Sequence, residues 1–297
     1  MITREQLVAI AARHGIPAPT SLPQQWVGAT SEVYPLDDTV VKVPFDRPDA
    51  IAALLLDATV APIARSLGVA APELLALDES LDIVEVPYGV YRRVEGGRPL
   101  DPAGRTDHAQ LAWREVGRQL ALVHAVTHTD AAPIKLREFR QSPEVDPRAW
   151  VDDLHAARAM TAEDAGWLHE LLDRIAPVAL ADVPPTLCHG DVNAANVLVN
   201  DQTDRFLALI DWAGAGWLDP VWDFAGVPLE VVPWLLEGHR DIAPLPHDAT
   251  AVARICWCQV QMRLYSARHA ELSEDASGQI RGHVGQLRRF ALATGLA

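Results

Sequence analysis

Between Cys188 and Ala225 the chain reads C-H-G-D-V-N-A-A-N-V-L-V-N, then a polar turn, then F-L-A-L-I-D-W, and later D-P-V-W-D-F-A. Three groups able to handle protons and metals stand here at fixed offsets: Asp191, Asn196 and Asp211. An asparagine amide oxygen and a carboxylate are hard oxygen ligands, suited to Mg²⁺ and not to zinc or copper. Asp191 lies on the loop ahead of them, where it is free to take a proton from a hydroxyl. His189 precedes it in a tight, small-residue turn.

Short elements must position these groups. Val197-Leu198-Val199 and Phe206-Leu207-Ala208-Leu209-Ile210 read as two apolar strands, with Asn200, Asp201 and Asp204 as the turn. Such a hairpin returns Asp211 beside Asn196. Far upstream, Trp26 to Tyr34 and Thr39 to Val43 are β-rich runs flanking the turn Leu36-Asp37-Asp38. The small residues Gly28, Ala29, Thr30 and Ser31 let backbone N–H groups approach an anion, although the stretch alone reads as an ordinary turn. Lys42, among valines, is either solvated or aimed at something anionic.

The remaining chain supplies scaffolding. Residues 3–14 read as an amphipathic helix ended by Gly15 and Pro17. Residues 47–60 read as a helix with Pro48 in its first turn, and Pro62 is expected to end or kink it. Residues 72–77 and 83–86 are strand-like, and 88–97 form an extended segment with Gly96-Gly97 as a hinge. Helical period then dominates: Trp113, Val116, Leu120, Val123 and His124 share one face, and 161–176 starts at the cap Thr161. Residues 143–153 form either a substrate-lining stretch or a solvated connection. Residues 228–247 read as irregular, followed by helices near 249–270 and 278–293. His124 reads as a packed core histidine.

Composition narrows the partners. The 297 residues suit one large domain or two lobes, and 49% hydrophobic residues suffice for a sizeable core. Lys plus Arg number 25 and Asp plus Glu 40, a formal charge of −15. That balance argues against a nucleic-acid backbone and fits either a cationic substrate or plain solubility. The sequence shows no signal-peptide pattern and no stretch near the ~20 apolar residues that span a bilayer, so no membrane partner and a cytoplasmic protein are expected. Cys188, Cys256 and Cys258 make no disulfide framework. Positions 256 and 258 point to different faces of a helix, so they read as buried thiols and not a metal pair.

The ordered set H-x-D-x-x-x-x-N, hairpin, Ile210-Asp211-Trp212 and Asp219-Pro220-x-x-Asp223 resembles the aminoglycoside phosphotransferase and choline-kinase branch of the protein-kinase-like fold. The resemblance implies a two-lobed α+β fold. A small β-rich N-lobe, residues 1–94, would bind nucleotide, and a larger, mainly helical C-lobe, 95–297, would carry catalysis and the acceptor. It implies ATP as donor, with GTP as the alternative, and Mg²⁺ held by Asn196 and Asp211. Lys42 would hold the α- and β-phosphates under the Gly28 to Ser31 turn. The backbone of Arg92, Arg93 and Val94 would meet the adenine edge in the connector between lobes. Asp191 would be the catalytic base, with His189 and Asp223 bracing its loop.

One departure stands out. The family places a glutamate on the helix after Lys42, and none occurs between Phe45 and Pro72. Asp57 is the best stand-in and Asp49 the second, each one methylene shorter. The implied activity is phosphorylation of a small-molecule hydroxyl, with the acidic balance leaning toward an aminoglycoside. Alternatives are a metabolic kinase, a macrolide or peptide-antibiotic phosphotransferase, and, in another class, a nucleotide-binding pseudokinase. A protein kinase lacks support: there is no A-P-E segment, and only a few residues separate Trp212 from Asp219.

Overall fold

The computed structural model describes residues 2–99, 101–127, 146–269 and 276–296. It forms two compact units: residues 1–100 with 189–191 and 195–215, and residues 101–188 with 192–194 and 216–297.

The first unit opens with α1 (Arg4–Arg13), whose N-terminus is closed by a reciprocal Thr3–Gln6 capping box. Five strands follow: β1 (Trp26–Val27), β2 (Ser31–Leu36), β3 (Thr39–Pro44), β4 (Leu74–Asp78) and β5 (Tyr88–Arg92), with α2 (Pro48–Ser66) after β3. They make an antiparallel sheet in the order β1-β2-β3-β5-β4. Alternation along β3 separates its two faces. Val41 lies opposite Tyr34 and Val90, and all three join Leu7 and Ile10 in a buried apolar cluster. Lys42 lies opposite Val33 and Gly89 and points to the other face.

Three local expectations change. The run 26–34 is not one strand but a tight hairpin, with Trp26 paired to Val33. Residues 83–86 are bends, not a strand: Ile83 gives its carbonyl to the Gln6 amide (3.1 Å), and Pro87 brings no N–H to a ladder. Val84 and Val86 are still buried in the cluster with Leu7. Pro62 does not end α2, which runs on to Ser66. An interior proline costs about 3 kcal/mol, but Ala61 and Ala64 beyond and beside it are buried, so packing of the last turn offsets that loss.

The later segments of this unit contribute the hairpin β7 (Val197–Val199) and β8 (Phe206–Leu209), as read from the sequence. Gly97 is tied to Val199 by two backbone hydrogen bonds, 3.0 and 2.9 Å. A Cβ on Gly96 would come within 2.6 Å of the Val199 carbonyl. These glycines serve close backbone approach.

The second unit holds α3 (Asp107–His124), α4 (Pro147–Ala156), α5 (Ala162–Ala179), α6 (Val232–Ile242), α7 (Ala251–His269) and α8 (Ala276–Ala293). A small ladder pairs β6 (Thr186–Cys188) with β9 (Gly216–Leu218). Helix α6 corrects the irregular reading of 228–247; Pro233 falls in its first turn, where proline is tolerated. Helices α3 and α6 meet through glycines: a Cβ on Gly117 would strike the Leu235 carbonyl, and one on Gly238 the Arg114 carbonyl. Of the stretch 143–153, read as either substrate-lining or a solvated connection, Asp146 caps α4 and 147–153 lie within it, while 143–145 fall outside the described residues. Cys188, Cys256 and Cys258 are buried free thiols, and burial pushes Cys256 up to about 12.

Candidate active site

Asp57 stands in the buried stripe of α2, between Leu54 and Ala61. A lone carboxylate there must find donors, and it finds three. Its Oδ2 accepts from Lys42 Nζ (3.2 Å) and Tyr91 Oη (2.8 Å), and its Oδ1 accepts from the Trp212 amide (2.8 Å). The shorter acid reaches Lys42 because this face of α2 is built of alanines, Ala50, Ala58, Ala61 and Ala64, which permit close packing. Tyr91 reaches it because Gly89, on the same strand face, leaves room: a Cβ there would sit 2.6 Å from the Tyr91 ring. Asp49, the second candidate, is exposed and paired with Arg47.

Lys42 is shared. Its Nζ also reaches Asp211 Oδ1 at 2.9 Å. Burial alone would lower the lysine's pKa, and is the largest influence; Asp57 and Asp211 together outweigh it and leave the value raised. Tyr91 is pushed up by burial first and then by Asp57, so it remains a donor. Asp211 itself adopts a left-handed backbone, φ 66°, uncommon for a residue with a side chain and tolerated best by Asp and Asn. The Asp57 bond to the next amide, at Trp212, helps hold that conformation.

The loop ahead is fixed from several sides. Gly190 has φ 82°, and a Cβ there would collide with the Gly214 carbonyl. Buried His189 donates from Nε2 to the Ile210 carbonyl (3.1 Å), accepts at Nδ1 from the Asp191 amide (3.3 Å), and packs against Trp212 with ring centroids 4.5 Å apart. Exposed Asp191 accepts from Asn196 Nδ2 at its backbone oxygen (2.8 Å) and at Oδ2 (2.9 Å). Asn196 in turn gives its carbonyl to the Ile210 amide (2.9 Å). With its NH₂ spent on Asp191, the Asn196 amide oxygen remains as an acceptor, and Asp211 keeps its second carboxylate oxygen outside any hydrogen bond among the described residues. Two hard oxygens of this kind fit Mg²⁺.

Lys42, Asp57, Asn196 and Asp211 line one cavity of about 250 Å³. Val33, Val40, Leu198 and Ile210 give it an apolar part, beside the Arg92 to Val94 backbone. Gly28 and Ser31 line it, while Ala29 and Thr30 do not. The Gly28 amide is spent on the Ser31 carbonyl (2.8 Å), and Arg47 and Phe45 hold the Ala29 and Thr30 carbonyls. The Arg92 amide donates to the Glu73 carbonyl and the Arg93 amide to the Asp38 carbonyl, so of the three only the Val94 N–H has no hydrogen bond among the described residues.

Asp223 belongs to the second unit. It is buried in the short 3-10 helix Pro220–Phe224, which Asp219 caps at the Val221 amide. Its Oδ2 meets His124 Nε2 at 2.9 Å. His239 Nδ1 donates to the Ala243 carbonyl (2.8 Å), so its Nε2 must accept from His124 Nδ1 (3.1 Å). His239 is lowered to about 4, by burial first and by His124 second. Asp219 is held by buried Arg254.

The sequence reading did not single out Tyr91, Gly89, Gly214, Arg98 or Arg254. Arg98, a cavity-lining cation, carried a signal in its charge; the others act through shapes that spacing does not display.

The sequence pattern of the phosphotransferase enzyme family, APH, matches residues 21–239. The chain belongs to the phosphotransferase enzyme family. A phosphotransferase of this family is an enzyme that transfers a phosphoryl group to an oxygen acceptor. Solved structures agree on the fold. The GDP complex of wild-type aminoglycoside 2'-phosphotransferase-IIIa superimposes with TM-score 0.65 at 16% identity, covering 96% of this chain and 97% of that one. A choline/ethanolamine kinase family protein from Mesorhizobium loti gives 0.63 at 19%, covering 97% and 93%. Spectinomycin phosphotransferase in complex with ADP and spectinomycin gives 0.61 at 14%, covering 97% and 98%. The two-lobed kinase-like fold expected from the motifs is thus the fold of this phosphotransferase. A search of curated protein sequences gives no match.

Proposed function

We propose that this enzyme moves the γ-phosphoryl group of ATP, with GTP as the alternative donor, to a hydroxyl of a small molecule, foremost an antibiotic such as an aminoglycoside. Residues 1–94 would centre nucleotide binding, and 95–297 catalysis and acceptor binding. The observation that carries the reading is the set Lys42, Asp57, Asn196 and Asp211 around a cavity with one apolar and one charged part, with Asp191, which does not line that cavity, hydrogen-bonded to Asn196. Neighbouring structures hold GDP or ADP, which supports a nucleotide as donor.

In this reading the base lies in the apolar part, with the Val94 amide at its edge, and Lys42 steadies the inner phosphates. Asn196 and Asp211 would hold Mg²⁺, which supplies charge compensation to the phosphate oxygens. Asp191 accepts the proton of the acceptor hydroxyl as that oxygen bonds to the γ-phosphorus. The bond from phosphorus to the β–γ bridging oxygen breaks, and the nucleoside diphosphate leaves with the electron pair. His189 holds the backbone of this loop, and Asp223 braces the second unit. The acidic chain favours a cationic acceptor and neither nucleic acid nor membrane; no described helix is long and apolar enough to cross a bilayer. Buried free thiols fit a cytoplasmic setting.

The missing glutamate was the feature favouring a non-catalytic nucleotide-binding module, and the Asp57–Lys42 contact supports Asp57 as its stand-in. The test is mass spectrometry of aminoglycosides, macrolides, peptide antibiotics, choline and sugar-like alcohols after incubation with protein and Mg·ATP. Gain of one phosphoryl group on an aminoglycoside is expected. Asp191→Ala should lose about 10²- to 10⁴-fold in turnover while still binding nucleotide, whereas Asp211→Ala should lose nucleotide binding. Transfer to choline or a sugar alone would replace the antibiotic by a metabolic acceptor. Nucleotide binding with no transfer to any acceptor would return the reading to a pseudokinase.

A further inference from the structure

Four cations line the cavity: Lys42, Arg92, Arg93 and Arg98. Three are already engaged. Lys42 is shared by Asp57 and Asp211. Arg92 pairs with Asp38 and Glu73. Arg93 donates to the Asp37 carbonyl and lies over the Trp26 ring, 6.0 Å from its centroid. The Arg98 guanidinium has no hydrogen bond or ion pair among the described residues. Its backbone is nevertheless fixed, because Gly97 next to it is double-bonded through hydrogen bonds to Val199, three residues after Asn196.

The charges show what this leaves undone. Lys42 faces two carboxylates at hydrogen-bonding distance, so its charge is compensated before any nucleotide arrives. A polyphosphate entering beside Asp211 brings several further negative charges. Arg98 feels Asp211 electrostatically: burial lowers its pKa and Asp211 opposes that shift. Arg98 lines the same cavity as Lys42, Asn196 and Asp211, and it is a forked donor with its donors unspent among the described residues.

We propose that Arg98 binds the polyphosphate of the donor nucleotide, beyond the α-phosphate, supplying from the connector the positive charge that Lys42 has already committed to Asp57 and Asp211. This rests on the nucleotide-donor reading above. It makes Arg98 a charge-compensating ligand of the phosphates and not a contact of the base or ribose.

The test is equilibrium binding of AMP, ADP and the non-hydrolysable analogue AMP-PNP, each with Mg²⁺, to wild type, Arg98→Gln and Arg98→Lys. Loss of a charge-assisted bond to phosphate should weaken ADP and AMP-PNP by roughly 10- to 100-fold and leave AMP within about twofold. Arg98→Lys should recover part of the loss, and melting temperatures should match, since the side chain has no hydrogen-bonded or ion-pair partner among the described residues. Uniform weakening of all three nucleotides, or no weakening of any, overturns the assignment while the donor reading stands. Failure of the wild type to bind any of the three, or their guanine counterparts, overturns the donor reading and this inference with it.

Discussion

Asp57 shows how much one buried carboxylate can organise. It joins β3 through Lys42, β5 through Tyr91 and the backbone after Asp211 through Trp212. Removing it leaves a buried hydroxyl and a buried amide without an acceptor, and a lysine short of one counter-charge. Asp57→Ala should therefore lose roughly 3–5 kcal/mol of stability and weaken nucleotide binding, read by urea denaturation and by titration with ADP. The sequence offered Asp57 only as the best stand-in for the glutamate that the family resemblance implies, with Asp49 second; its burial among Leu54, Ala58 and Ala61 came from the structure. Its other two donors were not legible: Tyr91 depends on the space over Gly89, and the Trp212 amide on a left-handed turn. Another residue-scale expectation concerns pH. His239 is lowered from 6.5 to about 4, so the folded state holds it neutral. Its contribution is complete above pH 6.5 and is lost as pH falls toward 4, by roughly 3 kcal/mol at most. Denaturation midpoints at pH 7.5 and 4.5 should show this fall in wild type and a smaller one in His239→Gln.

At the scale of elements, apolar period and turn chemistry made most of the fold legible. The β7–β8 hairpin, the β2–β3 turn, and helices α1, α3 and α5 follow their patterns. Misreadings cluster at prolines. Pro62 was expected to end or kink its helix and 228–247 to be irregular, yet α2 runs on past Pro62 among buried alanines, and Pro233 sits in the first turn of α6, which needs no N–H. Glycines in α3 and α6 were equally silent, since a glycine chosen for contact looks like a weak helix former until its neighbour is known. Their use is testable. Gly117→Ala would set a methyl against the Leu235 carbonyl and should destabilise by about 1–3 kcal/mol despite alanine's higher helix propensity. Gly166→Ala, where a Cβ meets nothing within 4 Å, should instead be neutral or stabilising by up to about 1 kcal/mol. Thermal melts of the two variants in parallel separate contact from propensity.

For the whole molecule, linkage between ligand and fold gives the broadest check. A nucleotide present at a hundred times its dissociation constant stabilises by about 2.7 kcal/mol, which for a chain of this length raises the melting temperature by roughly 4 °C. Wild type should show that rise with Mg·ADP, and Asp211→Ala should not. The acceptor was never legible, because the formal charge of −15 sets a field and not a pocket. The site's first unit has a further consequence, since it takes in residues 189–191 and 195–215 as well as 1–100. On the ribosome, the sheet and Lys42 emerge long before Asp191, Asn196 and Asp211. The Tyr91 hydroxyl and Lys42 can meet Asp57 early, but Asp57's bond to the Trp212 amide must wait for synthesis to pass residue 212. A nascent chain halted at residue 180 should therefore be unable to retain Mg·ADP, and a chain carrying residues 1–297 should hold it.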